Sequence, residues 1–343
     1  MSRVRRLTAF GLAAAFLAVS CGSGDPGSPA PSSPTRPTGP LAISGEVVEI
    51  DVGGEPIGIA AGEGSIWVVN SEFTSLENGS VSRIDTMTNE VVATIEVGAV
   101  PLETAVGDGA VWVSNSADDT VSKIDPSTNE VVATIDTCAA PEGLAIGGGA
   151  VWVACEDDDA VGRIDPARDE MTERIDVGSE PRFVTFALES LWVSNYADST
   201  ITRIDPAIGD VIEEIETAQG PQIMVEAAGS LWVSCTDADL VQQIDPSANQ
   251  VVGETPTPFA PDGLAFDSSF IVWVATEAGP HLAAVELVFG PGHNAPILDV
   301  WEVAQERAIN ANQVMVYEGG SLWLPILGRG IVLRLPPQAS VVE

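Results

Sequence analysis

Residues 110–115 read AVWVSN, and the same phrase returns along the chain as SIWVVN at 65–70, AVWVAC at 150–155 and SLWVSN at 190–195. It continues as SLWVSC at 230–235, FIVWVAT at 270–276 and SLWLPI at 321–326. The intervals between the seven tryptophans, Trp67 to Trp323, are 45, 40, 40, 40, 41 and 50 residues. A period this regular defines a repeat architecture. Within one unit, Pro141 to Asp176, four apolar runs (GLAI, VWVAC, VGRI and MTERIDV) are separated by turn residues. Helical periodicity is absent, and the Val, Ile, Thr and Trp content favours strands, here termed a, b, c and d.

The turns carry their own signals. A Gly-rich step joins a to b and suits positive φ. Asp-Pro steps at Asp125, Asp165, Asp205 and Asp245 join c to d, where Asp accepts backbone N–H groups and Pro presets φ. The fifth residue of that turn is Asn89, Asn129, Asp169, Gly209 or Asn249, types that tolerate the left-handed region. Four antiparallel strands per 40 residues describe a β-propeller blade, and the repeated Trp is expected to fill the wedge between blades. Residues 45–52, GEVVEIDV, match strand d with no blade before them, while the C-terminus supplies a, b and c only. The expectation is an all-β, seven-bladed propeller over residues 42–343 whose N-terminal strand completes the last blade and removes the open edges.

Residues 1–20 have a basic start at Arg3, Arg5 and Arg6 and an apolar run, LTAFGLAAAFLAVS, and read as an export signal. The run ends in LAVSC and resembles a bacterial lipobox, which implies lipidation of Cys21; here Ala18 stands three before the Cys and Leu17 four before it. An ordinary cleaved signal with an incidental Cys is the other reading. Residues 22–41 are rich in Pro, Gly and Ser and form a tether that reaches roughly 60 Å at about 3.1 Å per residue. The expected location is extracytoplasmic, with the membrane met only through the lipid.

Fourteen Lys plus Arg oppose 50 Asp plus Glu; without the three signal arginines, 11 cations face 50 acids, a formal charge of −39. Such a surface repels nucleic acid and anionic headgroups. Cys138 and Cys155 are placed near one rim and form a disulfide candidate, whereas Cys235 lies two blades away. No GxSxG, HExxH, P-loop or EF-hand loop occurs, and only two histidines, His281 and His293, are present.

The position after the repeat's Pro begins strand a at the channel mouth. It is Ile57, Leu102, Glu142, Arg182, Gln222, Asp262 and Gln313, with Glu103 one residue later in blade 2. Glu103, Glu142, Arg182, Gln222, Asp262 and Gln313 are therefore the candidate ligand-binding residues, against a reading as solvated lining with Glu142 and Arg182 paired. The b–c tips are acidic, at Asp118, Asp119, Asp157, Asp158, Asp159, Asp198, Asp237 and Asp239, and fit either ordinary turns or a weak calcium site. Insertions in blade 1, around Phe73, and between blades 6 and 7, around Arg307, offer a partner surface or reflect loop drift.

The composite VWVxN…TVSxIDPxTNEVVATIxVGxxPxGLAxGxG resembles the YVTN-type β-propeller repeat and the related virginiamycin B lyase-like propellers over nearly all of residues 45–343. The resemblance implies the propeller fold. For the lyase it implies His and Glu side chains with magnesium at the channel, and neither His281 nor His293 falls at the matching place. No catalytic residue carries over. The leading expectation is a lipid-anchored, monomeric envelope module that binds a protein, peptide or glycan and needs no cofactor. The alternative is a lyase-like or lactonase-like enzyme using mouth carboxylates and a divalent cation, calcium or magnesium.

Overall fold

A computed structural model describes residues 42–43, 46–71, 77–257, 260–267, 271–276, 281–286, 297–302 and 315–338. The signal segment, Cys21, the tether, Phe73, His293, Arg307 and Gln313 lie outside the described residues.

Seven four-stranded antiparallel sheets follow one another along the chain. Blade 1 comprises Pro56–Gly62, Ser65–Asn70, Asn78–Asp85 and Val91–Ala99. Blade 2 runs Pro101–Gly107, Ala110–Asn115, Thr120–Asp125 and Glu130–Asp136, and blade 3 Pro141–Gly147, Ala150–Cys155, Ala160–Asp165 and Glu170–Asp176. Blade 4 has Pro181–Ala187, Ser190–Asn195, Thr200–Ile204 and Val211–Glu216, and blade 5 Pro221–Ala227, Ser230–Cys235, Leu240–Asp245 and Gln250–Pro256. Blade 6 is Pro261–Phe266, Ile271–Thr276, His281–Glu286 and Ile297–Glu302. In blade 7, Val316–Glu318, Ser321–Ile326 and Ile331–Leu335 are completed by Val48–Asp51 from the N-terminal end. Val48 pairs with Arg334 and Asp51 with Ile331, so the two ends of the chain are stitched into one sheet. The first strands pack on one another from blade to blade, and those of blade 7 return to Pro56–Gly62. The array is thus a closed seven-bladed β-propeller.

The turn chemistry explains the hairpins. In the a–b turn of blade 2, Asp108 and Gly109 both have positive φ, 52° and 75°, the two-residue geometry that matches strand twist. At the c–d turns Asn89, Asn129, Asp169, Gly209 and Asn249 are all left-handed. Asp125 Oδ1 accepts Ser127 N at 2.7 Å, and Asn129 N donates to Asp125 O at 2.8 Å. Between them strand b is buried throughout in blades 1 to 4. The seven repeat tryptophans, which leave out Trp301 of the chain's eight, are 0–3% exposed and sit in the clusters between neighbouring sheets. Their indole N–H still needs an acceptor, and in blades 1, 2, 3, 4 and 7 it donates to the carbonyl five residues back, as Trp192 Nε1 does to Ala187 O at 2.9 Å. No helix among the described residues is long and apolar enough to cross a membrane.

Candidate functional site

In blades 1 to 6 the innermost strand starts with a slip in register. Pro141 pairs with Cys155, but the next pair is Leu144 with Val153, so Glu142 and Gly143 bulge from the ladder. Blades 1, 2, 4, 5 and 6 repeat the slip after Pro56, Pro101, Pro181, Pro221 and Pro261. The residue before the Pro is left-handed at Val100, Ala140, Glu180, Gly220 and Ala260. That conformation is costly for a branched side chain such as Val100, so the surroundings must hold it.

The acidic b–c tips supply much of that hold. Ala140 N donates to Asp119 Oδ1 at 2.9 Å, Glu180 N to Asp159 Oδ1 at 3.0 Å and Ala260 N to Asp239 Oδ1 at 2.7 Å. The following blade contributes a second carboxylate: Asp118 to Ala99 N at 2.7 Å, Asp158 to Ala139 N at 3.0 Å and Asp198 to Ser179 N at 2.6 Å. The d–a connections between blades 2 and 3 and between blades 3 and 4 are each pinned by two aspartates from adjacent blades. The acidity of these tips is explained by charge-assisted hydrogen bonds to backbone.

The mouth residues are not an open rim. Ile57 and Leu102 join the hydrophobic core, and Glu103, Glu142, Arg182, Gln222 and Asp262 are only 0–6% exposed. Both sequence-based readings, a solvated lining and an accessible ligand ring, placed these side chains toward solvent, whereas the structure buries them. The strands of blades 3 and 4 approach closely here: a Cβ on Gly143 would stand 2.5 Å from Arg182 O, so only glycine fits.

Arg182 is the centre of this polar layer. It stacks 3.9 Å from the ring centroid of Tyr196, whose hydroxyl donates to Asp237 Oδ2 at 2.7 Å. Its ion-pair contacts are Glu156 at 3.5 Å and Glu180 at 3.7 Å, and Glu142 acts on it electrostatically. Burial works against the guanidinium charge, but Glu142, Glu156, Tyr196 and Glu180 outweigh it and raise its pKa above the ordinary value. The pairing expected with Glu142 alone is thus spread over three carboxylates and links blades 3, 4 and 5. Glu103 differs. Its Oε1 accepts Thr104 N at 2.9 Å, Oε2 has no hydrogen-bond partner, and burial raises its pKa well above the usual carboxylate range.

A recurrent feature escaped the sequence reading. Lys123, Arg163, Arg203 and Arg334 each lie 11 residues after the repeat's Trp, and Arg83 takes the same place in the longer blade 1. Each cation stands over that Trp, at 4.7 Å for Arg83 and Arg203, 5.0 Å for Lys123, 5.1 Å for Arg334 and 5.3 Å for Arg163. Four of them also reach the c–d turn of the next blade: Arg203 Nη1 bonds Pro246 O at 2.6 Å and Asn249 Oδ1 at 2.7 Å. Arg83 does the same to Pro126 and Asn129, Lys123 to Pro166 and Asp169, and Arg334 to Asn89. The fixed offset from Trp was the available signal. With Arg168, Arg174, Arg182 and Arg329 in ion pairs, every basic side chain among the described residues is engaged.

The cysteines fall into the same positional logic. Asn115 and Asn195 end strand b and bond Ser122 at 2.9 Å and Thr202 at 2.8 Å across to strand c. In blade 3 that pair is Cys155 and Gly162, and Cys155 is joined instead to Cys138, with Cα atoms 5.6 Å apart. In blade 5 it is Cys235 and Gln242; Cys235 is a free, buried thiol whose pKa burial pushes up to about 12. Among the described residues no three His, Cys, Asp or Glu side chains are grouped to hold a metal ion. An open cleft between blades 1 and 2, lined by Asn78, Glu96, Val97, Asp118, Val131 and Thr134 among others, contains no cationic group.

These features define a closed β-propeller whose channel mouth is capped by a buried polar layer. Among solved structures the chain is similar to selenomethionine-substituted virginiamycin B lyase from Staphylococcus aureus, with TM-score 0.71, 17% identity, and coverage of 85% of this chain and 99% of that one. It is similar also to Kuenenia stuttgartiensis hydrazine synthase, with TM-score 0.71, 16% identity and coverage of 83% and 96%. The WD40 repeats of RRP9 give TM-score 0.74 at 10% identity, with coverage of 88% and 99%. No family model and no curated protein matches the sequence. At such identities the likeness is one of fold alone.

Proposed function

We propose that this chain is an extracytoplasmic β-propeller, held at the membrane by a lipid on Cys21, that serves as a binding or scaffold module for a protein, peptide or glycan. The observation that carries the reading is the burial of the mouth: Glu103, Glu142, Arg182, Gln222 and Asp262 are 0–6% exposed, and Arg182 is tied to three carboxylates. Groups enclosed in this way stiffen the fold and leave recognition to the tips and outer faces. The mass of carboxylates at the b–c tips is consistent with the same reading, because those with named partners hold backbone N–H groups. The anchoring rests on LAVSC and the Pro-rich tether. Replacing Cys21→Ser tests it: the protein should leave the membrane fraction for the medium or remain unprocessed, and unchanged membrane association would rule the lipid anchor out.

One observation favours a second reading, an acid-assisted lyase or lactonase. Glu103 is a buried carboxyl whose pKa burial raises well above the usual carboxylate range and whose Oε2 lacks a hydrogen-bond partner, a group suited to hold and donate a proton. Incubating the purified domain with lactones and cyclic depsipeptides separates the readings. The binding reading expects no turnover. Turnover abolished by Glu103→Gln in a folded protein would establish the enzyme.

A further inference from the structure

Strand d is the outer strand of every sheet, so every second backbone N–H and C=O along it faces away from the sheet. Two of these edges are blunted by ion pairs. In blade 3 Arg163, Arg168 and Arg174 neutralise Glu173, Glu170 and Asp176, and in blade 7 Arg329 pairs with Glu49. In blade 1 and blade 2 the outer strands alternate between exposed and half-buried residues.

The edge of blade 4, Val211–Glu216, is different. Its first four residues are all exposed, and only Ile215 is buried. Three of the exposed large apolar residues cluster here: Ile208 at 63%, Val211 at 48% and Ile212 at 45%. A bulge at Ile212 separates the pairs Ile204–Val211 and Arg203–Glu213, after which Glu213 to Glu216 run in regular register against Arg203 to Thr200. The carboxylates of Asp210, Glu213, Glu214 and Glu216 flank this apolar cluster, and none is in an ion pair among the described residues.

We propose that the outer edge of blade 4 accepts an extended, lysine- or arginine-rich segment of another protein as a fifth strand. The free backbone of Glu213–Glu216 supplies the ladder, Val211 and Ile212 supply an apolar anchor, and the four carboxylates select a basic sequence. Charge complementarity argues for this occupant. The described residues have no uncommitted cation to offer an acidic partner, and a second copy of this chain would bring like charge to like. The inference gives a partner class to the binding reading above. It fails on its own if the edge binds nothing, since the anchor and the closed mouth are tested separately.

The test uses the exported chain carrying Cys21→Ser and a synthetic ten-residue peptide of alternating Lys and Val, titrated by calorimetry at moderate salt. Two further peptides carry N-methyl groups on one or the other set of alternate amides and keep every charge. Expected are saturable 1:1 binding, at least tenfold weaker binding for one methylated peptide, and at least tenfold weaker binding after Glu213→Lys with Glu214→Lys. The paired control, Glu130→Lys with Asp136→Lys on the blade 2 edge, should change affinity less than threefold. Absence of binding, equal binding of both methylated peptides and the parent, or equal losses from the two double variants would each overturn the proposal and leave only diffuse attraction of cations.

Discussion

Glu103→Gln should make the propeller more stable as the pH rises, an unusual direction for an acidic protein losing a carboxylate. The folded chain holds this carboxyl where burial raises its pKa well above the ordinary range, while in the unfolded chain it titrates normally, at about 4.3. Below that pH both states keep the proton. As pH climbs, the unfolded chain releases it first and the folded chain binds more protons, so stability falls until the folded pKa is passed. One proton sets the slope, at most about 1.4 kcal/mol per pH unit. The amide removes that slope. Its oxygen can still accept Thr104 N, as Oε1 does at 2.9 Å, and its NH2 occupies the place of Oε2, which lacks a partner in the native chain too. The cost of one unsatisfied buried polar group, about 1–3 kcal/mol, is therefore common to both proteins and cancels in the difference. Urea denaturation at pH 4.5, 6.0 and 7.5 reads the result. The stability of the variant minus that of the native protein should grow with pH. Asp85, Asp125 and Asp245, whose pKa values are lowered by hydrogen bonds, give slopes of opposite sign that are shared by both proteins. A difference that stays flat, or that shrinks as pH rises, would show Glu103 ionised and paired and would refute the reasoning.

Two further outcomes concern the joints between blades. Arg203→Met removes the charge over Trp192 and the bonds to Pro246 and Asn249, and should cost about 2–4 kcal/mol in denaturant unfolding, whereas Arg168→Met, two-thirds exposed, should cost about 0.5 kcal/mol or less. Peptide mapping of the non-reduced protein should recover Cys138 joined to Cys155; Cys138→Ser with Cys155→Ser should cost about 3 kcal/mol for a separation of 17 residues, and Cys235, with its pKa near 12, should resist alkylation until the chain unfolds.

The blades were legible because each repeats the same local chemistry. Trp at a fixed interval, Asp-Pro at the c–d turn and a residue tolerant of left-handed geometry four positions after that Asp all follow from short-range rules, and the structure places them accordingly. The closing strand was legible for the same reason, since GEVVEIDV repeats the d pattern without a blade of its own. The mouth was not. The burial of Glu142 and Arg182 accompanies the register slip after the Pro, a bulge that leaves two residues out of the ladder in blade 3 and one in blade 4 and no mark in composition. The acidic tips misled in the same way, because Asp119 and Asp159 take their meaning from N–H groups about 21 residues away in sequence. The basic residue 11 positions after the Trp was readable and was passed over, since a lone cation in an acidic chain reads as solvated surface until its partners are seen.

The central claim is that the mouth is a closed polar layer that holds blades 3, 4 and 5 together, with recognition elsewhere. Thermal unfolding of Arg182→Ala tests it most directly. Truncation strips the cation from Glu142, Glu156 and Glu180 and the stacking partner from Tyr196, so the account predicts a loss of roughly 3 kcal/mol or more and a melting temperature lower by about 5 °C or more. A variant that melts with the native protein would contradict it and return Arg182 to the list of groups that face a ligand.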